Sequence, residues 1–62
     1  MFPNLIGQAK VRGMNNESMA EMIGVTRQTY EKKLKSGNFN VNEINTLLNF
    51  FKKPYDYLFS EE

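Results

Sequence analysis

The chain has 62 residues, a net charge of +1, and neither cysteine nor histidine. That length makes one domain, spanning residues 1–62, near the lower limit at which an apolar core suffices alone. The composition excludes a disulfide framework and any thiolate or imidazole metal site, so no metal or cofactor is expected. No apolar run approaches the ~20 residues of a membrane span. The start, MFPNLIGQAK, lacks the basic and then apolar pattern of a signal peptide. A soluble cytoplasmic protein is the expectation.

The first predicted helix runs from Pro3 to Arg12. Proline suits a first-turn position, where its missing N–H costs nothing. Leu5, Ile6 and Ala9 share one face, and Gly13 supplies the stop. The second helix covers Asn16 to Ile23, capped by Asn15, with Glu17 in its first turn and Met19, Ala20, Met22 and Ile23 on its inner side. Gly24 ends it with a positive φ, and Val25 packs beneath the turn. Thr26 then caps a third helix, Arg27 to Lys35, whose apolar positions are only Tyr30 and Leu34.

Ser36-Gly37-Asn38 breaks that helix. The fourth starts at Asn40, with Glu43 three residues on in a capping-box relation. Val41, Ile44, Leu47, Leu48 and Phe51 give it a continuous apolar stripe, the clearest periodic signal in the chain. Pro54 opens a last short helix, Tyr55 to Phe59. No segment alternates with period two, so the fold class is all-α with five helices.

Charge is balanced globally and basic locally. Between Thr26 and Asn38, Arg27, Lys32, Lys33 and Lys35 face the single acid Glu31, a net +3. If Tyr30 and Leu34 point inward, then Gln28, Glu31, Lys32 and Lys35 lie broadly opposite, with Arg27 at the exposed first turn. Lys33 reads as an ordinary solvated lysine, and Met14, Met19, Met22 and Tyr30 as core residues. With no histidine or cysteine, no phosphate-binding glycine loop and no paired carboxylates, no enzyme is expected.

The segment NESMAEMIGVTRQTYEKKLK, Asn16 to Lys35, resembles the helix-turn-helix of the lambda-repressor-like family of phage repressors, Cro proteins and XRE-type regulators. The matching features are Met19-Ala20, Ile23-Gly24-Val25, Thr26 and Tyr30. Ala20 lets two helices approach, Gly24 makes the turn, and Tyr30 fills the wedge between them. Leu5 to Met14, Phe39 to Phe51 and Pro54 to Phe59 resemble the family's first, fourth and closing helices. The likeness therefore covers nearly the whole chain. Two departures stand out: Lys33 replaces a common apolar residue, and Tyr30 exceeds the usual aliphatic one.

The resemblance implies a sequence-specific regulator of Cro or repressor type, of phage or mobile-element origin, acting on double-stranded DNA in a bacterial or phage-infected cell. It carries base contact to Arg27, Gln28 and Lys32, and phosphate contact to Asn16. Arginine can pair bidentately with guanine, and glutamine with adenine. Glu31 could accept from cytosine, or pair with Arg27 or Lys35 at i±4. Thr26, Lys35 and Asn38 complete the expected phosphate contacts.

Phe50, Phe51, Tyr55, Tyr57 and Phe59 exceed what so small a core can bury, although Phe51 and Leu58 should close it. In the resembling family the closing helix makes a dimer interface, which marks Tyr55, Tyr57 and Phe59 here. A homodimer on a near-palindromic operator is the implied partner arrangement. No small-molecule ligand is evident. The alternative is a protein-interaction module on the same fold, antitoxin-like or a modulator of another transcription factor.

Overall fold

The computed structural model describes residues 1–61. Five helices follow in order: α1 (Pro3–Val11), α2 (Asn16–Ile23), α3 (Arg27–Ser36), α4 (Val41–Phe51) and α5 (Tyr55–Leu58). Each lies within a residue or two of its predicted range, and among the described residues there is no strand. Among the described residues no helix is long and apolar enough to cross a membrane.

Local chemistry accounts for most of the helix ends. The Asn15 side chain accepts the Ser18 N–H at 2.8 Å, and Thr26 Oγ1 accepts the Thr29 N–H at 3.2 Å. At α4, Asn40 Oδ1 accepts from the Glu43 N–H at 2.8 Å while Glu43 Oε1 accepts from the Asn40 N–H at 3.0 Å, so the expected capping box is closed. Each such cap contributes about 1 kcal/mol. Gly24 adopts φ 79° at the end of α2. A Cβ there would meet nothing within 4 Å, so glycine is needed for backbone conformation and not for space.

The core is drawn from all five helices, the α3–α4 connection and the residues just outside α1 and α5. Leu5, Met19, Tyr30, Leu47, Phe51 and Leu58 are its largest fully buried members. Phe2 and Phe39, which stand outside the helices, are buried as well, and with Phe59 they form a ring of edge and tilted contacts at 5.3–5.9 Å between centroids. α2 packs most extensively against α3 and also against α4, while α1 touches α5. The radius of gyration, 10.3 Å, is close to the about 10.6 Å expected of a globule this long.

Two core expectations require correction. Val41 is 70% exposed. The inward line of α4 is Glu43, Leu47 and Phe51 at i, i+4 and i+8, and at 100° per residue Val41 falls about 120° from its centre. Phe59, expected in an outer patch, is 9% exposed because Phe2 and Phe39 close around it.

Candidate nucleic-acid interface

The candidate surface is the outer side of α3 together with the start of α2. Tyr30 and Leu34 anchor α3 from below at 1% and 3% exposure. Burial of Tyr30 disfavours the charged phenolate and pushes its pKa up to about 12, so the ring is neutral at ordinary pH. Measured from the direction of these two anchors, Gln28, Thr29, Lys32 and Lys35 lie about 120–180° away at 100° per residue. All four are exposed. The outermost face therefore carries two amines, an amide and, with the exposed Ser36 about 140° from the anchors, two hydroxyls, with no acid.

Glu31 and Lys33 lie on the flanks of α3, about 80° to either side of the anchors. On the flank toward α2, Glu31 Oε2 accepts from Arg27 Nη1 at 3.1 Å and from Asn16 Nδ2 at 3.1 Å. Arg27 thus folds back along the first turn and does not stand straight out. Its side chain is still 53% exposed, against 36% for Glu31, so the pair itself contributes at most a few tenths of a kcal/mol. Of the sequence alternatives for Glu31, the one present is the i−4 pair with Arg27, with a second helix joined to it.

On the flank toward α4, Lys33 contradicts its expectation. Its ammonium lies 3.1 Å from Glu43 Oε1 and donates to the Asn38 carbonyl at 3.2 Å. Side-chain exposures are 19% and 8%, so this is a largely buried pair and not a solvated lysine. Glu43 Oε1 accepts the capping-box N–H of Asn40 and lies in ion-pair contact with the Lys33 ammonium. A lysine at the position where an apolar residue was expected is accommodated because α4 presents an acid there.

The remaining candidates are divided. Thr26 uses its hydroxyl locally, accepting from the Thr29 N–H and donating to Thr29 Oγ1 at 2.9 Å. Asn38 is exposed, although its backbone is engaged by Lys33 and Ser36. At α2, Asn15 satisfies Ser18, while the first-turn N–H groups of Asn16 and Glu17 have no intrahelical acceptor. Between α1 and these two helix starts lies an open groove of about 530 Å³, floored by Ala9 and Tyr30 and rimmed by Lys10, Asn16, Arg27 and Glu31. Sequence reasoning missed Thr29 on the outer face and Lys10 on the groove rim. The helical period could have found Thr29; Lys10 needed the position of α1.

Outside this surface, Tyr55 and Tyr57 are 53% and 40% exposed, and Phe50 is 37% exposed. The Arg12 guanidinium lies 5.0 Å from the Phe50 ring centroid and 5.4 Å from that of Phe51, and Lys53 covers Tyr57 at 5.9 Å. Tyr55 stacks on Phe59 at 5.3 Å, which ties the exposed rings to the core. Comparison with protein-family models, curated proteins and solved structures gives no match to this chain.

Proposed function

We propose that this chain is a sequence-specific double-stranded-DNA-binding regulator of the Cro or repressor type that lays α3 in the major groove. The observation that carries this role is the acid-free outer face of α3, where Gln28, Thr29, Lys32 and Lys35 stand exposed beyond a turn made by Gly24. The order of α2, tight turn and α3 supports a helix-turn-helix. Arg27 and Gln28, at the N-terminal turn, are the base readers; Lys32 extends the reading face. Asn16, with the free N–H groups of the α2 first turn, holds one phosphate, and Lys35 and Asn38 hold the backbone at the other edge. Thr26 acts as a cap. A homodimer joined through Tyr55, Tyr57 and Phe50 would set two copies of α3 one DNA turn apart on a near-palindromic operator in the cytoplasm of a bacterial or phage-infected cell.

The test is fluorescence anisotropy with a duplex enriched from a randomised library and with its scrambled counterpart, across salt. The enriched duplex should bind tighter, and log K should fall with log salt at a slope of about −4 to −5 if each subunit neutralises about five phosphates. Equal affinities or a flat salt response would exclude this function. The exposed rings of Phe50, Tyr55 and Tyr57 favour the second possibility, an interaction module, which predicts that flat response.

A further inference from the structure

A single carboxylate oxygen joins the starts of α2 and α3. Glu31 Oε2 takes one hydrogen bond from Arg27 Nη1 and one from Asn16 Nδ2, both at 3.1 Å. Helix formation alone does not call for this pair. A base four residues before an acid is the less favourable order against the helix dipole, and the pair sits half in water. Nor does packing call for it, since Arg27 and Asn16 are exposed. What the arrangement does is restrain one long, flexible cation and one amide on two different helices.

We infer that Glu31 is a specificity-determining positioning residue: it holds Arg27 for a base edge and withholds it from phosphates. The role rests on α3 being the DNA-facing helix. A free arginine at a helix start pairs readily with any phosphate on any duplex, which adds affinity without discrimination. Paired through Nη1, Arg27 keeps further N–H donors for a guanine edge, while the adjacent carboxylate repels phosphate oxygens. Because the same oxygen holds Asn16, the phosphate contact of α2 and the base contact of α3 are set in one register. Glu31 itself need not touch DNA.

The experiment compares the wild type, Glu31→Ala, Arg27→Ala and the double variant by anisotropy on the enriched and scrambled duplexes across salt. Circular dichroism verifies that each is folded. Glu31→Ala should bind the scrambled duplex about tenfold tighter, with a salt slope steeper by about one, and leave the enriched duplex within about twofold. In the Arg27→Ala background the same change should alter neither the specificity ratio nor the slope. Equal tightening on both duplexes would overturn the inference, because it would reduce Glu31 to bare charge. An equal loss of ratio without Arg27 would also overturn it, since Glu31 would then read a base directly. If Arg27→Ala loses discrimination while Glu31→Ala keeps it, only the role of Glu31 fails. If no duplex is enriched and Arg27→Ala binds like the wild type, DNA reading fails with it.

Discussion

The two flanks of α3 carry ion pairs of the same length and opposite character. Arg27–Glu31 and Lys33–Glu43 are both 3.1 Å apart. The first is roughly half exposed, lies within one helix and is hydrogen-bonded to α2 through the Asn16 amide. The second is largely buried, crosses from α3 to α4 and shares its carboxylate with a helix cap. Distance alone would rank them equal; solvent does not. A pair in water is screened and exchangeable, which suits a surface that must meet a ligand. A buried pair cannot lose one partner without stranding the other charge, which suits the side that fixes the helix to the body.

The largest break in this comparison should come from Lys33→Ala. It strands Glu43 and should cost about 2–4 kcal/mol in chemical denaturation, with a fall in melting temperature of about 10 °C or more. Replacing both partners by apolar residues, Lys33→Met with Glu43→Leu, should recover part of that loss even though the cap is gone. If Lys33→Ala is as mild as a surface change, the two flanks are energetically alike.

Tyr30, which lies between the flanks, supplies a pH test. Its folded pKa of about 12 exceeds the ordinary 10, so above pH 10 the unfolded chain loses the proton that the native state keeps. Stability should be fully present below pH 10 and fall by about 2–3 kcal/mol as pH approaches 12. Tyr30→Phe should flatten that part of the stability profile, measured against the wild type to remove the background titration of the lysines.

On the exposed side of α3, the Arg27–Glu31 flank and the outer face together, the expected effects are on binding. Arg27→Ala should cost about 1–3 kcal/mol of discrimination between enriched and scrambled duplexes. Lys35→Ala should weaken both alike and reduce the salt slope by about one. An unchanged specificity ratio in Arg27→Ala would show that the base readers lie elsewhere on α3. The smallest effect should be that of Glu31→Ala on folding, within about 0.5 kcal/mol by denaturant titration. A loss similar to that of Lys33→Ala would mean the two pairs do the same structural work.

Much of the architecture was legible in the order of residues. Asn15, Thr26 and the Asn40–Glu43 box mark helix starts by chemistry that acts over three residues, and Gly24 marks a turn because only glycine adopts its φ without strain. The inward positions of α3 followed from the four-residue spacing of Tyr30 and Leu34. The outer face followed too, except for Thr29 and for Glu31, which sits on the flank.

What escaped the sequence depended on which helix lies beside which. Val41 continues an apolar stripe, yet α4 turns that edge outward and places Glu43 inward. Phe2 and Phe39 sit in segments without periodicity, so nothing local marks them as the rings that enclose Phe59. Lys33 looks like any lysine on a polar helix until α4 brings a buried carboxylate to its ammonium. Local signals act within a turn of helix and survive in sequence order, so the chain by itself determined its five helices and their ends. Burial and pairing depend on neighbours distant in sequence, so only the tertiary structure decided which charge on α3 holds the helix in place and which is left at the surface.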